Sequence, residues 1–155
     1  MKLGEALSLR ADIQKRMNRV QALLSDNATV QEGDRPAVDP TDLLAEYRGL
    51  AAEHEMIVRR INRTNLGARI ELGAESLTLA DAVIRRERLA REAGVLREMA
   101  NRAIPKASRF LRTELKHVPT IDIGGTIAEA DRLSKEHREL DARIQQANWE
   151  VELSD

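Results

Sequence analysis

Four stretches of this chain repeat apolar residues at alternating spacings of three and four, and that rhythm dictates long helices packed side against side. The first carries Leu3, Ala6, Leu7, Ile13, Met17, Val20 and Leu24, with Arg10 at one seam position. The second reads Leu43, Tyr47, Leu50, His54, Ile57 and Ile61. The third runs through Leu79, Ala82, Arg86, Leu89, Ala93, Leu96, Ala100 and Ala103, and the fourth through Thr126, Ala130, Leu133, His137, Leu140, Ile144, Ala147 and Val151. An apolar stripe of this kind has to be buried against another. The expected fold is mainly α: an antiparallel bundle of about four long helices with coiled-coil-like packing, forming a single helical domain over residues 1–155.

Punctuation residues set the boundaries, giving helices at roughly 3–27, 40–66, 79–104 and 124–152. Asp39-Pro40-Thr41-Asp42 is a strong start signal: Asp39 caps free amides, Pro40 suits the first helical position, and Asp42 places negative charge on the first turn. Thr78 with Asp81 three residues on resembles a capping box. Pro105 stops the third helix, and Asp122 or Thr126 caps the fourth beside Gly124-Gly125. Residues 25–40, with Gly33, Pro36 and a run of acids, form a long polar connection expected to be mobile. Residues 68–77 and 112–123 read as extended, and the two could pair as a short two-stranded β ribbon, with Pro119 limiting the second to an edge. Gly94, in the most alanine-rich seam, either admits a partner helix closely or is merely tolerated.

Composition narrows the chemistry. Of 155 residues 33% are charged and 2% aromatic, and the formal net charge is −1, so attraction to nucleic acid or an anionic membrane would need a local patch. The absence of cysteine excludes disulfides, thiolate metal sites and a cysteine nucleophile. No apolar signal region follows Met1-Lys2-Leu3-Gly4-Glu5 and no stretch approaches the roughly 20 apolar residues of a membrane span, so a cytoplasmic location is expected.

No catalytic set, metal site or cofactor is expected. The only Glu-x-x-His, Glu114 to His117, falls in an extended stretch; Ala51 and Ser134 stand where His54 and His137 would need a glutamate. His137 and Asp141 make at most half a site, and Asp26, Glu32, Asp34 and Asp39 lack calcium-loop spacing. There is no Gly-x-Ser-x-Gly, and Gly124-Gly125 lacks the surrounding residues of a phosphate loop. His54, His137, Arg10 and Arg86 sit on seams, either as a polar layer or at edges with their tips in water.

Charge distribution stands above background. Residues 59–70 hold Arg59, Arg60, Arg63 and Arg69 with no acid, and residues 97–117 hold Arg97, Arg102, Lys106, Arg109, Arg112 and Lys116 against Glu98 and Glu114. The candidate binding residues are Arg59, Arg60, Asn62, Arg63, Asn65, Arg109, Arg112 and Lys116. Asn62, Arg63, Thr64 and Asn65 form a polar helix end that could grip an anion or a partner chain, although the favoured reading is a helix cap in which Asn65 and Gly67 satisfy free carbonyls. Nucleic-acid association is one use of these stretches, weakened by the shortage of stacking aromatics beyond Tyr47, Phe110 and Trp149. An enzyme joining the Asn62–Arg63 cluster to Lys116-His117 is another. The favoured reading is a non-enzymatic, self-associating helical scaffold or adaptor, a homo-oligomer that presents a charged surface to a protein partner.

The chain resembles uncharacterised bacterial proteins labelled septicolysin-like. The resemblance rests on Leu9-Arg10-Ala11-Asp12-Ile13-Gln14-Lys15-Arg16, Val30-Gln31-Glu32-Gly33, Ile61-Asn62-Arg63-Thr64-Asn65, Glu114-Leu115-Lys116, Arg138-Glu139-Leu140-Asp141 and Asn148-Trp149. It brings no catalytic residue or cofactor. The label implies a membrane-active cytolysin, which without a spanning segment would act by assembling amphipathic helices.

Overall fold

A computed structural model describes residues 1–104 and 118–154. The chain is mainly α: α1 (Leu3–Asp26), α2 (Pro40–Gly67), α3 (Leu79–Ala103) and α4 (Ile123–Glu150), with a ribbon of β1 (Arg69–Leu72) and β2 (Glu75–Thr78) between α2 and α3. It divides into two compact units: Met1–Arg69 with Gln145–Asp155, and Ile70–Ile144.

In the first unit α1 packs along α2. Ile13 and Val20 face inward from α1, and Leu43, Leu50, Ile57 and Ile61 from α2, all at most 5% exposed. The pair is antiparallel because one extended segment, Val151–Ser154, touches the start of one helix and the end of the other. Leu3 N–H donates to Val151 O at 2.9 Å and Leu153 N–H to Met1 O at 2.8 Å. Ser154 N–H donates to Thr64 Oγ1 at 2.9 Å, and Arg60 Nε donates to Ser154 O at 2.9 Å. The expectation that the fourth helix reaches 152 is therefore corrected: the helix stops at Glu150 and the chain straightens to pair with residues 1–3.

In the second unit α3 and α4 run antiparallel. Arg86 pairs with Asp141 at 2.8 Å and Arg97 with Asp131 at 3.0 Å, so residue numbers rise along one helix as they fall along the other. Leu79, Ala82, Leu89, Ala93 and Ala100 of α3 are buried, as are Ala130, Leu133, Leu140 and Ile144 of α4. Among the described residues a Cβ added at Gly94 meets nothing, so this glycine mediates no close approach there.

The ribbon forms, but with different partners from those expected. Residues 69–72 pair with 75–78 in one hairpin, and residues 118–122 are not in a strand; residues 112–117 lie outside the described part. The two-residue turn has Gly73 at φ +64° and no positive φ at Ala74, the pattern of a type II′ turn that suits the right-handed twist of paired strands. Local closure of a short turn needs far less chain ordering than pairing segments some forty residues apart.

The start signals act as expected. Asp39 Oδ1 accepts from Thr41 N–H at 2.8 Å, and Thr78 Oγ1 accepts from Asp81 N–H at 3.1 Å while donating to the Asp81 carboxylate at 2.6 Å. Asp122 occupies the cap position of α4, its carbonyl accepting from Thr126 N–H at 3.0 Å. Its carboxylate fills the space a Gly125 side chain would need.

Candidate functional site

The polar seam residues separate by geometry. Arg10 is exposed, while His54 and His137 are half-buried at the edges of their seams. Asp141 is engaged by Arg86 of α3, whose half-buried guanidinium crosses between the two helices. Among the described residues no group of three or more His, Asp or Glu side chains is placed to hold a metal ion.

Of the sequence-predicted binding residues, the structure brings Arg59, Arg60 and Arg63 together. Spacings of three and four put them on one side of α2, where with Ala52, Glu55 and Met56 they line an open depression of about 440 Å³. Met56 is 60% exposed and forms an apolar patch among the cations. Arg59 pairs with Glu55 one turn back at 2.7 Å, an exposed ion pair that a partner's carboxylate can displace at little cost. Asn62 does not line the depression, lying about 160° round the axis from Arg60. Asn65 is half-buried. Arg109, Arg112 and Lys116 lie outside the described residues, as do Glu114 and His117.

The end of α2 is closed differently from the expected cap. Gly67 has no positive φ. Ala68 N–H donates to Thr64 O at 2.8 Å, and Thr64, only 2% exposed, uses its hydroxyl to receive Ser154 N–H while donating to Arg60 O at 2.9 Å. The sequence groups Thr64 with the polar helix end Asn62–Asn65 and does not single it out as a buried anchor for Ser154. The available signal was its place one three-residue step beyond Ile61 on the seam.

The terminal segment is also fixed electrostatically. Lys2 Nζ lies 2.7 Å from Glu152 Oε1 and donates to Glu150 O at 3.0 Å. The Lys2 ammonium, then the amino group of Met1, hold the Glu152 carboxyl below its ordinary value of 4.5. A depressed carboxylate stabilises the fold above its ordinary value and loses that contribution as pH falls through the lowered one. Amide exchange at Leu3 and Leu153 is therefore expected to quicken as pH is lowered below 4.5, after correction for intrinsic rates. Glu152→Gln should remove that dependence; an unchanged profile in the variant would show that the carboxylate does not hold the segment. By contrast, Arg132 on α4 is bracketed by Glu129 and Glu136 in an exposed ladder, and its hydrogen bond holds the Glu129 carboxyl low without forming a cleft.

Trp149, noted in the sequence as a scarce aromatic and as part of the Asn148-Trp149 motif, is the other prominent surface residue. It is 61% exposed, yet its ring is seated: a Cβ on Gly4 would lie 3.2 Å from it and 3.1 Å from Asn148 O. Gly4→Val should destabilise the chain by about 1–3 kcal/mol through this crowding and shift Trp149 emission. Wild-type emission and stability in the variant would show that the ring is not seated there.

No curated protein matches the chain in sequence. It is similar in structure to a functionally unknown conserved protein from Corynebacterium diphtheriae, known from a crystal structure. The two are 39% identical, superpose with a TM-score of 0.90, and are covered over 99% of each chain. Among the described residues no helix is long and apolar enough to cross a membrane. The model of a family of unknown function (DUF6847) matches residues 10–153, and the chain belongs to that family.

Proposed function

We propose that this protein is a non-enzymatic helical scaffold or adaptor that self-associates. The observation supporting this reading is Trp149, a seated but largely exposed ring at the end of a helix whose seam is already buried at Leu140, Ile144 and Ala147. A fixed aromatic at the surface loses little conformational freedom on binding and gains a large apolar burial, which is why tryptophan dominates binding hot spots. Ile84 and Val95, 67% and 66% exposed on α3, add apolar surface beyond the buried seam of that helix.

The test is the mass of the intact assembly. Light scattering is expected to give a multiple of 17.4 kDa. Trp149, the one tryptophan in the chain, is expected to shift its emission to the blue as concentration rises and the ring is covered. Trp149→Ala should weaken association by about 2 kcal/mol, roughly 30-fold in dissociation constant. A strict monomer at concentrations up to about 100 µM would count decisively against the reading.

A further inference from the structure

We infer that the acidic connection between α1 and α2 of one copy docks on the Arg59–Arg63 face of α2 in a second copy, joining copies head to tail. This rests on the self-association reading and names its surfaces. Residues 26–42 hold five carboxylates against Arg35, whereas residues 59–70 hold four arginines and no carboxylate. The antiparallel pairing of α1 and α2 puts these opposite charges at opposite ends of the first unit. Pro40 and Arg59 are separated by about 28 Å of helix at 1.5 Å per residue, so the connection of a given copy does not reach its own depression.

The two surfaces match in more than charge. Met56 is exposed among the arginines, and Val30 and Val38 are 48% and 40% exposed on either side of Glu32 and Asp34. The connection is partly organised before it binds. Asn27 donates to Leu23 O at 2.9 Å and accepts Val38 N–H at 3.2 Å, tying its two ends together. Asp34 N–H donates to Gln31 O at 3.0 Å in a turn with Gly33 at φ +96°. Ordering already present in the free chain reduces what docking has to restrict. Trp149 belongs to the same end of the first unit as the arginines, because Leu3 and Arg60 are both bonded to the segment Val151–Ser154. Each copy carries both surfaces, so the contact is heterologous and leads to open chains or closed rings.

Two neutralising variants test this by sedimentation velocity: Arg59→Ser with Arg63→Ser, and Glu32→Gln with Asp34→Asn. These positions are exposed, and circular dichroism checks that each variant keeps its helix content. Each alone is expected to raise the dissociation constant about tenfold or more, and the wild-type constant should rise comparably between about 50 and about 500 mM salt. An equimolar mixture retains one intact surface on each variant. It should associate with near-wild-type affinity and stop growing at two copies. Association that survives both variants and high salt unchanged overturns this inference and leaves the scaffold reading standing. A wild-type chain that is monomeric throughout overturns both.

Discussion

Leu140→Ala should lower the unfolding free energy by about 3 kcal/mol, within the range of about 2–5 kcal/mol for leucine truncations in packed cores. Leu140 is 1% exposed and lies one helical turn before Ile144 on the buried stripe of α4. The loss combines the transfer of the missing atoms with the cavity left behind, since the surrounding structure relaxes only partly toward a void. For a chain of this size the thermal midpoint should fall by roughly 10 °C. A loss below about 1 kcal/mol would mean that neighbouring side chains fill the space and that this layer is loosely packed. The neighbouring Asp141→Ala change breaks only a part-exposed ion pair with Arg86 and should cost about 1 kcal/mol or less.

Thr64→Val is the second large effect, expected at about 1–3 kcal/mol. The substitution conserves volume and β-branching, so packing at this 2% exposed position is nearly unchanged. What disappears is the hydroxyl that receives Ser154 N–H and donates to Arg60 O. The donor on Ser154 then has to find water, while Arg60 Nε still bonds Ser154 O. Hydrogen exchange should quicken over Val151–Ser154 before it changes in the middle of α2. Thr64→Ser, which keeps the hydroxyl, should retain most of the protection; equal loss in both variants would assign the effect to the methyl group instead.

Helices were legible because each local signal agreed with the seam it bounded. Asp39 and Thr78 are start residues whose hydrogen bonds close within three residues, and Pro40 adds its fixed φ at the first helical position, so their geometry is set by neighbours in the chain. The hairpin was half legible: the extended segment was recognised, but Gly73 was not read as the turn that pairs its two halves. At the candidate site, three- and four-residue steps from Arg63 account for Arg59 and Arg60 beside it on one side of α2, whereas Asn62, grouped with them as a candidate by sequence, is left out of the depression.

Amino-acid order alone determined the four helices of the described residues, their near limits and most of the positions that face inward, because helix periodicity and capping act over a few residues. Tertiary structure decided where α4 ends, what Thr64 bonds, and how Trp149 is seated on Gly4. Each of these depends on groups more than eighty residues apart in sequence meeting in space. The apolar rhythm of α4 carries on to Val151 with no stop residue. Hydrogen bonds offered by the start of α1 and the end of α2 pull the chain out of the helix there, and no local pattern encodes a partner that distant.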